Sequence, residues 1–265
     1  MRYVRIFFLN FQEAFSERGR SVVWFLIALF NPLLYFVFWY AATGSGNHNI
    51  AGWSIQTISS YYFLLIIAGS LFQSFADEQI GYWHIYQGRL TNYLLKPVSY
   101  YAMNFISEIP WRIIQGFFGV IVFLLMKLFF GNFIVMTSDV QTIVLCICIS
   151  FLAYAVSYAV KAVIGISAFW LTDYYGLAEG VSMILLISGG FVVPLRFLPS
   201  WIEKIALLLP FPYAMYFPIL AWMGKLSVGE LFQVIGMQIM WILLFFGLFT
   251  VLWKKGVREY SGVSQ

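Results

Sequence analysis

What this chain has least of is charge. Asp, Glu, Lys and Arg make up 10% of its 265 residues, where soluble domains carry ~25%. No polar stretch is long enough to fold as a soluble module, so a soluble catalytic domain is excluded. The formal net charge is +4, but a basic face on a soluble surface, which nucleic-acid binding requires, is missing. Cysteine occurs only as Cys146 and Cys148, both inside an apolar run, where an inert thiol is expected rather than a disulfide or metal ligand. Histidine occurs only as His48 and His84, expected on opposite sides of a membrane, and no His-Glu-x-x-His pair exists to hold a metal. The chain contains no G-x-x-x-x-G-K-[ST] loop, no Gly-rich phosphate fingerprint after a strand and no G-x-S-x-G elbow. No cofactor of its own is expected, and it does not hydrolyse ATP alone.

What fills the chain is oil. Apolar residues reach 62% and the mean hydropathy is +0.85, so it reads as an integral, all-α membrane protein whose residues 1–265 form one membrane domain. A span needs about 20 apolar residues, and six segments qualify: 21–43, 57–76, 103–130, 140–170, 176–195 and 230–253. Before them, Val4, Phe7, Phe8, Phe11 and Phe15 recur at helical spacing while Arg2, Arg5, Gln12, Glu13 and Ser16 fall elsewhere around the wheel. Residues 1–20 are therefore expected as an amphipathic interfacial helix, a plain extension of the first span being the alternative. No small-residue cleavage site follows the first apolar run, so no removable signal peptide is expected. Between the fifth and sixth spans, 194–225 is greasy yet punctuated by Pro194, Pro199, Pro210, Pro212 and Pro218. Such density does not make one straight helix. An extracytoplasmic re-entrant helical hairpin is expected, sealed by protein around its non-helical backbone.

Lys and Arg set the orientation. With both termini cytoplasmic, Arg2, Arg5, Arg18, Arg20, Arg89, Lys96, Arg112, Lys254, Lys255 and Arg258 lie inside, with Lys161 near that face, against Lys127, Arg196, Lys204 and Lys225 outside. The loop at 44–52 has neither. The basic balance and the absence of a transit-like peptide fit a bacterial plasma membrane. No convincing inverted repeat relates the halves, which weakens a secondary-transporter reading.

Charges within spans are costly and mark function. Glu108, Lys161 and Glu179 are expected within a turn or two of the cytoplasmic interface. Two readings stand: Lys161 snorkels to that interface, or it pairs with Glu108 or Glu179 and pins a cytoplasmic gate. In the fourth span, Ala153, Ser157 and Lys161, or Ala155 and Ala159, give a small-xxx-small pattern suited to close helix packing. Trp24, Trp39, Trp201, Trp222 and Trp253 fall near span ends as interface anchors.

The segment that fits oil worst is "GRLTNYLLKPVSYY" (88–101), within a cytoplasmic region at 77–101. Leu90, Leu94 and Leu95 offer an apolar ridge, Arg89 and Lys96 flank it, and Pro97 ends it. Resting on lipid headgroups is one role for it. Its "G-x-L-x-x-Y-L-L-K-P-V-S" pattern, with the amphipathic N-terminus, "FWLTDYYGL" (169–177) and "SGGFVVPLRFLPSWI…LPFPYAMYFP" (188–218), resembles the ABC-2 type permeases, the membrane subunits of ATP-driven exporters, in the branch without a fused ATPase. The resemblance implies that 88–97 forms a coupling helix docking on a cytoplasmic nucleotide-binding (ATPase) subunit, which uses ATP and Mg. It implies a second permease, identical or related, completing the translocation path within the lipid bilayer. A hydrophobic or amphipathic cargo (drug, lipid or glycan-lipid) is expected from the aromatic content. The competing expectations are a membrane-embedded lipid-modifying enzyme and a gradient-driven carrier.

Overall fold

A computed structural model describes residues 2–44, 48–130 and 134–260, the side chains at 18, 21, 24, 28, 31, 32, 129 and 130 excepted. Arg18, Trp24 and positions 45–47 of the expected outer loop therefore lie outside the description. The described residues form helices and loops, with a single isolated bridge between Ile50 and Trp53. The helices are α1 (Arg2–Ser16), α2 (Arg18–Ala42), α3 (Ile55–Phe72), α4 (Thr91–Leu94), α5 (Tyr100–Phe130), α6 (Val140–Ile166), α7 (Tyr174–Ser188), α8 (Ser200–Leu207), α9 (Phe211–Ala214), α10 (Tyr216–Trp222) and α11 (Val228–Glu259), with a π-helical segment at Glu78–Tyr86. Among the described residues four helices, α3, α5, α6 and α11, are long and apolar enough to cross a membrane, or five spans if the bent run from α8 to α10 counts as one.

Local chemistry sets where the helices start. Ser54 caps α3 by accepting from the Thr57 amide, Asp139 caps α6 by accepting from Thr142 at 2.9 Å, and Ser227 with Glu230 closes a reciprocal capping box on α11. Each cap satisfies amides that have no partner within the helix. α7 stops at Ser188, short of the expected 195. Gly189 and Gly190 follow, and Gly190 takes φ +81°, a left-handed conformation open to glycine. The Tyr61 and Tyr62 hydroxyls donate to the carbonyls of Gly190 (2.6 Å) and Val192 (2.8 Å), so the non-helical backbone after α7 is satisfied by α3.

The proline-rich stretch breaks into a 3₁₀ turn at Leu195–Phe197 and then α8, α9 and α10, with a bend of 73° between α8 and the α9–α10 run. Pro194 and Pro199 stand just before a 3₁₀ turn and α8, Pro210 precedes α9, and Pro212 and Pro218 sit in the first turns of α9 and α10, where a missing amide costs least. α9 and α10 are buried against α3 and α6, whereas α8 exposes Trp201 and Ile205.

α3 is buried almost all round and forms the centre of the bundle, packing on α2 and α5, while α6 packs along α11. Ala153, Ser157 and Ala159 of α6 are buried within this chain, so the small-residue spacing serves internal packing. Cys146 is buried and Cys148 exposed, and both are free thiols. α1 lies along α5, with Ile6 and Ala14 turned inward and Val4, Phe8 and Phe15 exposed. Its Arg2 Nη1 donates to the Pro97 carbonyl at 3.0 Å, and its Tyr3 hydroxyl accepts from the Ser99 amide at 3.3 Å.

Candidate functional site

The site grows out of one interruption. α3 ends at Phe72, and Gln73, Ser74 and Phe75 leave the helical path before the chain resumes as the π-helical segment. A break inside a packed bundle, where Ser74 is fully buried, strands backbone groups that need other partners. Here side chains of α5 and α6 take them up. Arg112 Nη1 donates to the Gln73 carbonyl at 2.8 Å, the Ser74 amide donates to Ser157 Oγ at 3.0 Å, and the Phe75 amide donates to Glu108 Oε1 at 2.8 Å. Ser74 Oγ donates to Glu108 Oε2 at 2.7 Å, and the Tyr154 hydroxyl reaches the same oxygen at 3.4 Å.

Glu108 is thus the hub of the break. Its partner Arg112, one turn along α5, keeps Nε 3.7 Å from Glu108 Oε1, an ionic contact beyond hydrogen-bond range, and lays its guanidinium 4.9 Å from the Phe75 ring centroid. Glu108 is eight residues into α5, roughly 12 Å from its start at 1.5 Å per residue, so this pair is drawn well inside the helix bundle.

One turn beyond the break lies a second pair. Lys161 Nζ sits 2.6 Å from Asp77 Oδ2 and 3.1 Å from Ser182 Oγ, with the two charged side chains 7% and 9% exposed. The pairing expected of Lys161 with Glu108 or Glu179 is therefore corrected. Glu179 is exposed on α7, and Glu108 is occupied by Arg112 and the break. Lys161 does not snorkel either; it ties α6 to α7 and to the start of the π segment. Two glycines permit this closeness. A Cβ on Gly165 would stand 2.9 Å from Ile80 Cβ and 3.1 Å from both the Ala76 carbonyl and Asp77 Cα, and one on Gly81 would meet the Gly165 carbonyl at 3.1 Å.

The π segment carries the cluster to the 88–101 stretch. His84, buried near its end, shares a 2.5 Å hydrogen bond between Nδ1 and the Tyr100 hydroxyl, packs on the Tyr93 ring at 4.0 Å between centroids, and accepts the Leu90 amide at its carbonyl at 2.8 Å. Tyr100 stacks in turn on Trp253 at 4.1 Å. α4 is only four residues long, and the three leucines do not share a face. Leu90, at its start, is fully buried, whereas Leu94 and Leu95 are 41% and 81% exposed. The ridge is therefore Leu94 and Leu95 alone. Arg89 lies over Trp83 and Lys96 over Tyr93, at 5.1 and 4.4 Å, which holds both cations against aromatic faces at the surface.

Burial, followed by the charges of Lys96 and Arg89, pushes the His84 imidazole down from 6.5 to about 4. Its neutral form therefore contributes stability that is fully present above pH 6.5 and lost as pH falls towards 4, about 2 kcal/mol of it by pH 5. Amides of residues 88–99 are expected to exchange about twentyfold faster at pH 5 than at pH 7 after correction for intrinsic rates. His84→Gln should abolish that pH dependence in a hydrogen-exchange measurement.

Asp77, Ser74, Arg112 and Tyr154 are the site residues that sequence reasoning missed. Arg112 is legible from the sequence, since it stands four residues after Glu108 on one helix; Asp77 carries no such local signal, because its partner lies 84 residues away. Against known proteins, the profile of the ABC-2 family transporter proteins matches residues 29–264. No curated protein and no solved structure compared with the chain matches it. With that match over most of its length, and with several apolar helices of membrane-spanning size, this multi-pass membrane protein belongs to the ABC-2 family of transporter proteins.

Proposed function

We propose that the chain is the permease subunit of an ATP-driven exporter, half of a translocation path completed by a second permease, identical or related. Six spans cross a bacterial plasma membrane, α2 and α7 among them, with both termini cytoplasmic and the α8–α10 run as an outer re-entrant seal. The chain is no enzyme in this reading: ATP and Mg are used by a separate cytoplasmic ATPase subunit. A hydrophobic or amphipathic cargo, drug, lipid or glycan-lipid, suits a wall rich in aromatic residues. The observation that carries the reading, beside family membership, is the continuity from Leu94 and Leu95 to the charge cluster. An exposed two-leucine tip stands on a segment whose root is His84, the π-helical run and the Asp77–Lys161 pair.

A push on that tip is transmitted because the parts between are buried and hydrogen-bonded rather than loose. The π segment abuts α6 through Gly81 and Gly165, and Pro97 and Ser99 are held by α1. Motion at 88–97 therefore moves the α3 break and α6 together, which is how a lever at the membrane surface reaches a gate inside. Lys161 is the gate residue in this scheme through Asp77.

The test is Leu95→Asp. A carboxylate on an 81% exposed leucine leaves folding of the permease untouched but places an unpaired charge in the apolar contact with the ATPase. Membrane insertion and thermal stability should equal the wild type, while transport per ATP hydrolysed falls at least about tenfold. Wild-type coupling in Leu95→Asp and in Leu94→Asp would reject 88–97 as the coupling element.

A further inference from the structure

A cavity of about 370 Å³ opens between the 93–101 stretch and the last turns of α11. That volume lies in the range of small-molecule sites. Its walls include Tyr93, Tyr101, Phe246, Thr250 and Trp253, and Lys96 is the cation among its lining residues. No carboxylate stands within salt-bridge distance of Lys96 among the described residues; its charge rests only on the Tyr93 ring. Tyr101 makes no hydroxyl hydrogen bond to another described residue, although its backbone carbonyl accepts from Tyr158.

The chemistry changes along one direction. Trp253, Thr250, Phe246 and Leu243 fall on one stripe of α11 at helical spacing. At one end of that stripe is Lys96, with the exposed Lys254, Lys255, Arg258 and one carboxylate, Glu259, on the last turns of α11 beyond the cavity lining; at the other, Phe246 and Leu243 are 45% and 64% exposed. The site thus has its one lining cation at the aromatic end and is continued at the other by an apolar track, the exposed side chains of Phe246 and Leu243. A soluble anion has no use for the track, and a neutral lipid has none for the unpaired cation.

We propose that this cavity holds one anionic phospholipid, its phosphate on Lys96 and an acyl chain along Phe246 and Leu243. Basic pockets at the cytoplasmic ends of membrane helices recognise anionic headgroups by this charge pairing. The lipid then bridges the 88–97 segment and α11, setting how firmly the former is held. It is a bound component rather than the cargo, and the site does not depend on an ATPase.

The experiment uses the purified full-length permease alone in nanodiscs of phosphatidylcholine, with a photo-crosslinkable phosphatidylglycerol. Labelling should saturate near one lipid per chain and map by mass spectrometry to peptides spanning 93–101 and 246–253. Unlabelled phosphatidylglycerol should displace it, but neither added phosphatidylcholine nor glycerol phosphate. Lys96→Gln should weaken labelling about fivefold, the effect of one interfacial cation. Thr250→Phe, which fills the cavity and keeps Lys96, should weaken it by about tenfold or more. Unchanged labelling in both variants, displacement by phosphatidylcholine as effective as by phosphatidylglycerol, or displacement by glycerol phosphate would each overturn the proposal. Because no ATPase is present, such a failure leaves the exporter reading standing.

Discussion

Lys161→Met is expected to destabilise the permease by about 3–5 kcal/mol, the cost of leaving a buried partner charge uncompensated. The Asp77 carboxylate would keep no cation in reach, since Arg112 is engaged at the break and Lys161 supplied its 2.6 Å contact. A lysine that merely snorkelled would behave differently, because Met preserves most of its aliphatic stem and the loss would stay below about 1 kcal/mol. The decisive comparison is the double variant Lys161→Met with Asp77→Asn, which removes both charges. It should recover most of the loss, giving a coupling energy above about 1.5 kcal/mol in an unfolding titration. Equal stabilities for the single and double variants would show that the pair does not hold α6 to the π segment. If Lys161 is the gate residue proposed above, transport in Lys161→Met falls even where the protein is fully folded.

Glu108→Ala should be comparably severe, again about 3–5 kcal/mol, but localised elsewhere. It removes the carboxylate beside Arg112, which keeps only the Gln73 carbonyl, and strands the Phe75 amide and the Ser74 hydroxyl donor; each buried group left unpaired carries a desolvation cost of about 1–3 kcal/mol that is not additive with the others. Protection of the Ser74 to Asp77 amides in hydrogen exchange should collapse while that of mid-α6 persists. Glu108→Gln keeps one oxygen acceptor and should lose roughly half as much. Adding Arg112→Met to Glu108→Ala should restore part of the stability, because the stranded cation is then gone. A Glu108→Ala protein with wild-type exchange at 74–77 would mean that the break is held by packing alone.

Residues with strong local rules were legible in advance. The cores of α3, α5, α6 and α11 follow from apolar runs of membrane length, and the prolines of 194–218 mark the short helices that the chain forms there. α7 shows the limit of hydropathy: the apolar run continues to Val193, but Gly189 and Gly190 end the helix by backbone conformation. Leu90 shows another limit. Counting leucines at helical spacing assumes a helix long enough to have faces, and α4 has barely one turn. Lys161 stands out in the sequence as a charge within a span, but its partner Asp77 lies 84 residues away. That pairing depends on Gly81 and Gly165 letting two backbones meet, which spacing within one helix does not reveal. Glu179, expected within a turn or two of the same interface as Lys161, is exposed on α7.

In the exporter reading, the energy for transport enters this chain from outside it. The most direct measurement is co-expression with an ATP-binding-cassette ATPase encoded beside it, purification through a tag on the permease alone, and assay of ATP hydrolysis in nanodiscs with and without cargo. The expected result is a stable complex of two permeases and two ATPases whose hydrolysis is stimulated by the reconstituted permease, and transport that stops when ATP is withheld. A chain that purifies without any ATPase and moves its cargo down a gradient at the same rate with or without ATP would contradict it.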